Sequence, residues 1–235
     1  DAIDNLALIY RRLDRLDEAI ALYERSIALA PHNQFAWQNI GVAYHKRGRD
    51  ADAVRAYQHL TELSPDNPEG WYGLAQMALH AHRATEARDA AVRAEALYRA
   101  TGSPLIDDAR LLRGLAAIAL ADWPTVRATI EPQYARLADD ADVNLALGKA
   151  YLEPDALDRA KARQYLQRAR DLGATVTEAL WQETKASGVR VFALCPGATE
   201  TEFFARTGEE FLTSGRQTSQ EVVATAMAAI DKSTP

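Results

Sequence analysis

Six side chains of this 235-residue chain have the chemistry of metal ligands or nucleophiles: His32, His45, His59, His80 and His82, and the single cysteine, Cys195. Their spacing sets up neither role. A helical zinc site of the H-E-x-x-H kind needs two histidines one turn apart with a glutamate base between them, and no such run occurs. His80 and His82 stand two apart, so on a helix they face different ways. One cysteine closes no internal disulfide and anchors no Cys/His cluster. Solvated surface histidines are the expected reading. The formal net charge of −6 offers nucleic acid no overall attraction, and no long basic run overrides it. No apolar stretch approaches the ~20 residues that span a bilayer, and no signal peptide is visible. These observations lead to the expectation of no catalytic residue, no metal, no cofactor, no nucleic acid and no membrane, with a cytoplasmic location. Asp1 falls inside a repeating pattern, as it would in a fragment of a longer chain.

The elements that carry these residues repeat. Tyr10 returns as Tyr44, Ala19 as Ala53, Tyr23 as Tyr57, Pro31 as Pro65 and Trp37 as Trp71, each pair 34 positions apart. A period of this length marks stacked supersecondary units. Apolar residues at helical spacing give two amphipathic helices per unit. Small residues at Ala19, Gly41 and Ala53 let the paired helices approach, and Pro31 and Pro65 stop each second helix. Later units drift. Residues 68–101 keep Trp71, Leu74, Ala75 and Ala87 but carry Ala78 and Ala91 in place of the tyrosines. Residues 105–140 keep Gly114, with Pro132 expected to kink or shorten the second helix. Residues 141–173 recover Leu147, Gly148 and Tyr151, then Ala162, Leu166 and Ala169, with about two extra residues in the turn near Glu153, Pro154 and Asp155.

The unit W-x-x-I-G-x-x-Y, a polar turn, A-x-x-x-Y and a proline, carried here by Trp37, Ile40, Gly41, Tyr44, Ala53, Tyr57 and Pro65, resembles the tetratricopeptide repeat. The resemblance implies a mainly α fold over residues 1–173: a right-handed superhelix of about five helix pairs whose first helices line a concave groove for a protein or peptide partner. On the family's pattern the groove positions are Asp4, Asn5, Leu8, Arg11, Arg12, Phe35, Gln38, Asn39, Val42, His45, Glu69, Tyr72, Gln76 and Leu79. Amides there would pair with a peptide backbone while Phe35 and Tyr72 bury its side chains. Asn5 and Asn39 occupy equivalent positions, as in family members that grip a backbone with an asparagine ladder; Gly73 breaks the third rung. The alternative is that each asparagine caps or bonds a neighbouring helix. The carboxylate clamp of the chaperone-tail version is not matched, since Asp4, Leu8, Glu69 and Gly73 stand at its positions and two carboxylates would repel a third.

After Gly173 the pattern changes. Thr175 to Ser187 reads as a helix, and residues 189–194 as a short strand, β-branched and apolar, ended by Cys195, Pro196 and Gly197. A last helix, capped by Thr218 or Ser219, runs to about Ile230. The run from Glu178 to Phe204 resembles the late part of a short-chain dehydrogenase/reductase, whose P-G-x-x-x-T motif would correspond to Pro196, Gly197 and Thr201. That family's glycine-rich dinucleotide turn is absent here. Tyr165, near the place of its catalytic tyrosine, is followed four residues on by Ala169 rather than the lysine that would lower its pKa. Pro196, Gly197 and Thr201 are therefore vestigial, and residues 174–235 are expected to be a small α/β appendage that binds no cofactor. A lone strand exposes backbone donors and acceptors. It pairs with another copy, giving a homo-oligomer, packs on the array, or stays poorly ordered. The expected function is a protein–protein interaction scaffold. The alternatives are a dehydrogenase-related protein fused to repeats, or an artificial chimera with no function as a whole.

Overall fold

The computed structural model describes residues 2–174, which form ten α-helices, two short 3-10 turns and, among the described residues, no strand. The helices are α1 (Ala2–Arg12), α2 (Leu16–Leu29), α3 (Gln34–Lys46), α4 (Asp50–Leu63), α5 (Pro68–His80), α6 (Ala84–Thr101), α7 (Ile106–Ala119), α8 (Trp123–Ile130), α9 (Ala141–Ala150) and α10 (Arg159–Asp171). They pair in chain order, giving the five expected pairs. The chain divides into two compact units, residues 1–136 and 137–235. The first holds α1 to α8 and the second begins with the fifth pair. The expected boundary at residue 173 falls at the edge of the described residues.

Side-chain caps start the helices where the sequence supplies them. Asn33 accepts from the Ala36 amide, and its repeat mate Asn67 accepts from the Glu69 amide. Asp122, Asp140 and Asp158 do the same for α8, α9 and α10. The second helices α2 and α4 stop at Leu29 and Leu63, two residues before Pro31 and Pro65. Third in line, α6 has no such proline and runs 18 residues against 14 for α4, ending at Gly102 with φ 66°. As expected for Pro132, α8 stops early at Ile130 and gives way to a 3-10 turn over Glu131–Arg136.

The turn inside each of the first four pairs passes through one left-handed residue: Asp14 (φ 59°), Gly48 (78°), His82 (57°) and Ala121 (53°). The first three lie 34 apart and the fourth 39 further on, which counts five inserted residues around the end of α6. His82 is thus in a turn and not, as the sequence suggested, on the helix that carries His80.

Alanine fills the tight interfaces. Ala19, Ala36, Ala43, Ala53, Ala75, Ala78, Ala87, Ala91, Ala116 and Ala117 are buried. Against this small-residue background bulky residues of α4, α8 and α10 act as wedges. A Cβ on Gly41 would lie 2.7 Å from the ring of Tyr57, and one on Gly73 would overlap the other edge of that ring. Tyr57 therefore sits between its own first helix, α3, and the next, α5. Burial pushes its phenol pKa up to about 12. Ile130 and Thr129 crowd Gly114 in the fourth pair, and Leu166 comes within 2.6 Å of a Cβ on Gly148 in the fifth. Tyr165 packs beside it in α10, stacked on Tyr151 with ring centroids 6.0 Å apart, in keeping with a repeat position.

Candidate peptide groove

Repeat register puts the expected groove residues in columns along α1, α3 and α5: Asn5, Asn39 and Gly73; Leu8, Val42 and Gln76; Arg11, His45 and Leu79. Helix packing leaves Asn5, Arg12, Phe35 and Gln38 exposed and Leu8, Asn39, Val42, His45, Tyr72 and Gln76 half-buried. Glu69 is exposed, and Arg11 and Leu79 are half-buried. Asp4 departs from the expectation. It is buried and accepts a 2.9 Å hydrogen bond from Asn33 Nδ2, which also donates to Ser26 Oγ at 3.2 Å. The carboxylate joins α1 to the α2–α3 turn and lines the base of the surface there.

Some of the remaining residues are brought together. Asn5 and Phe35 border an open depression of ≈ 560 Å³ whose floor is the α2–α3 turn, Ala30 to Asn33. Gln76 Nε2 donates to the Tyr72 hydroxyl at 3.4 Å, and the Tyr72 ring meets Tyr98 of α6 edge-on at 6.3 Å. Tyr72 is thereby held against the core, with burial raising its pKa. His45 Nδ1 lies 2.7 Å from Asp50 Oδ1, and its ring is 4.2 Å from that of His80. His80 thus joins the same region, a contact that 34-residue register alone does not reveal. Among the described residues no group of three or more histidines, cysteines or carboxylates could hold a metal ion.

The asparagine ladder is not preformed. Asn39 Nδ2 donates to the Phe35 carbonyl of its own helix at 2.8 Å, not to a neighbouring helix, while Asn5 is exposed. The missing third rung has a steric cause: any side chain at Gly73 would collide with Tyr57.

The fourth first helix carries residues that the sequence reading missed. With the five-residue shift that the Ala121 turn reveals, Leu111, Leu115 and Ile118 of α7 fall in the columns of Tyr72, Gln76 and Leu79, and all three are half-buried. Polar and amide side chains on α1 and α3 are followed by aliphatic ones on α7. The signal was Gly114 together with the turn at Ala121, hidden by the longer α6.

Residues 1–66 and residues 40–104 match two family models, both described as tetratricopeptide repeat. Residues 1–104 carry tetratricopeptide repeats. Among solved structures, that of MamA protein shares 20% identity with this chain, covers 83% of it and 97% of its own length, and superposes with a TM-score of 0.59. The structure described as YrrB, "a TPR protein with an unusual peptide-binding site", is 18% identical over 77% of this chain and 90% of its own, with a TM-score of 0.54. PilW, described as a widely conserved type IV pilus biogenesis factor, is 18% identical over 80% and 85%, with a TM-score of 0.53. At such identities the likeness shows a shared fold. No curated protein sequence matches the chain. The repeat models end at residue 104; the stretch from Glu178 to Phe204, with Pro196, Gly197 and Thr201, lies outside the described residues. Among the described residues no helix is long and apolar enough to cross a membrane.

Proposed function

We propose that the repeats serve as a protein-interaction scaffold and that the faces of α1, α3 and α5 bearing Asn5, Leu8, Arg12, Phe35, Gln38, Asn39, Val42, His45, Tyr72 and Gln76 receive an extended peptide segment of a partner. One observation carries this reading: three successive first helices leave the Leu8/Val42/Gln76 and Arg11/His45/Leu79 columns half-buried, with amide and aromatic side chains interleaved. Amides recognise backbone, and half-buried aromatic and aliphatic groups gain from further burial. The peptide-binding site named for YrrB, which shares the fold, supports the same reading. The aliphatic column on α7 would extend the surface toward an apolar end of the ligand. Peptides selected from a random library on residues 1–174 provide the test. Gln38→Ala with Asn39→Ala should weaken the selected peptide by about 1–3 kcal/mol, the cost of leaving polar partners unsatisfied. Undiminished binding, with protection mapping to the second helices, would refute the groove assignment.

A further inference from the structure

Repeat register singles out one charge on the groove side that has no counter-charge. Arg11, His45 and Leu79 form one column, and the position after it holds Arg12, Lys46 and His80. In the second unit the column is satisfied within the protein. His45 Nδ1 lies 2.7 Å from Asp50 Oδ1 at the start of α4, and its ring lies 4.2 Å from that of His80 on α5. One unit earlier the same register replaces Asp50 by Leu16 and His80 by Lys46. Arg11 thus has a leucine where its mate has a carboxylate, and a second cation where its mate has an imidazole.

The surroundings of the side chain bear this out. Arg11 is half-buried, and its Nε is buried with no acceptor. Arg88, Arg110 and Arg113, half-buried like it, hold carboxylates at 2.8, 3.0 and 2.7 Å. Among the described residues no carboxylate stands within ion-pair distance of Arg11. What it meets is phenol. It lies beside Tyr23 Oη, itself buried without a hydrogen bond, and within electrostatic reach of Tyr57. A neutral phenol leaves the guanidinium charge uncompensated, and a charge drawn partly out of water without an opposite one is costly. Asp4, seven residues back on the same helix, is engaged by Asn33. We infer that Arg11, with Lys46 beside it, seats a carboxylate of the bound peptide. The guanidinium can take that group through two parallel N–H donors, and the exposed Lys46 adds charge at the rim. Neither residue stands at a clamp position of the chaperone-tail version. The inference rests on the groove reading and narrows it to ligands with an acidic anchor.

Peptides selected from a random library on the whole chain provide the test. They should share one aspartate or glutamate, or depend on a free C-terminus. Replacing that acid by its amide should weaken binding roughly tenfold or more, and so should Arg11→Gln in the protein. The two changes together should cost little more than either alone, since both remove one contact. Amidating the peptide terminus separates the two sources: if that change alone gives the coupled loss, the carboxylate is the terminal one. Arg11 has no ion pair to lose, so the melting temperature of Arg11→Gln should match or exceed that of wild type. Arg11→Lys, which keeps the charge without the fork, should retain part of the affinity. Selected peptides without a required carboxylate, additive losses in the cycle, or a lower melting temperature for Arg11→Gln would overturn the assignment. If the cycle is additive while Gln38→Ala with Asn39→Ala still weakens the peptide, this inference alone falls. If that pair also has no effect, the groove reading falls with it.

Discussion

In the second and third pairs the indole N–H of Trp37 and of Trp71 donates at 2.8 Å to the carbonyl six residues earlier, that of Pro31 and Pro65. In the fifth pair the same helical position holds Asn144, whose Nδ2 donates at 3.1 Å to the Ala138 carbonyl, again six residues earlier, and at 2.7 Å to that of Asp140. In the fourth pair the position is Arg110, and its Nε reaches the buried carboxylate of Glu95 on α6 at 3.0 Å. Arg99 and Arg113 complete the neutralisation of Glu95 at 2.6 and 2.7 Å. From the second pair to the fifth, the regular and the drifted pairs thus keep a donor that ties the first helix to what precedes it, while the residue type changes from tryptophan to arginine to asparagine. Sequence periodicity registers the residue; the fold selects for the bond.

Four substitutions sharpen or break this comparison. The largest effect is expected where a wedge meets a glycine. Gly73→Asn, which would restore the third amide rung, should lower unfolding free energy by about 3 kcal/mol in urea titration, since overpacking costs roughly 1–3 kcal/mol and occasionally more. A neutral outcome would mean that Tyr57 yields readily, and a cycle with Tyr57→Ala would measure the coupling. Next comes Asn144→Ala, which removes a fully buried amide with its two hydrogen bonds and should cost about 2 kcal/mol by the same measurement. Trp37→Phe keeps an aromatic ring and removes the N–H donor with the rest of the indole at a partly exposed site, so about 1 kcal/mol is expected. If Asn144→Ala proved milder than Trp37→Phe, the equivalence drawn between the two donors would fail. The smallest effect is a gain: Ala121→Gly, which relieves a left-handed alanine at some cost in chain entropy, should raise the melting temperature modestly, by about 0.5–1 kcal/mol of stability. No gain would indicate that the turn at Ala121 has already relaxed.

Five residue pairs at one spacing were enough to read the first three helix pairs, because Trp, Tyr, Pro and the small residues mark positions where little else fits. Pro132 and the extra residues near Pro154 were equally legible, since proline limits helices by steric rules that need no partner. Three features escaped. The extension of α6 is silent in sequence, because alanine-rich helix continues without a stop until Gly102. Glu95 belongs to no motif of the repeat, and its burial is accompanied by three arginines, two of them from the next helix. Asp4 fell in a groove column by register, but Asn33, 29 residues away, draws it inward. Each is a decision made by tertiary contact, which a periodic pattern does not encode.

The six-residue hydrogen bonds of Trp37 and Trp71 have a mechanical consequence. Each closes the loop between one pair and the next, so a force applied along residues 2–101 must rupture these bonds one after another instead of sharing the load among them. Release of one 34-residue unit would add roughly 110–120 Å of contour length, from about 3.3–3.6 Å per extended residue. Single-molecule traces of this stretch should therefore show discrete steps of that size, and in Trp37→Phe the force of one step should fall while its length stays the same.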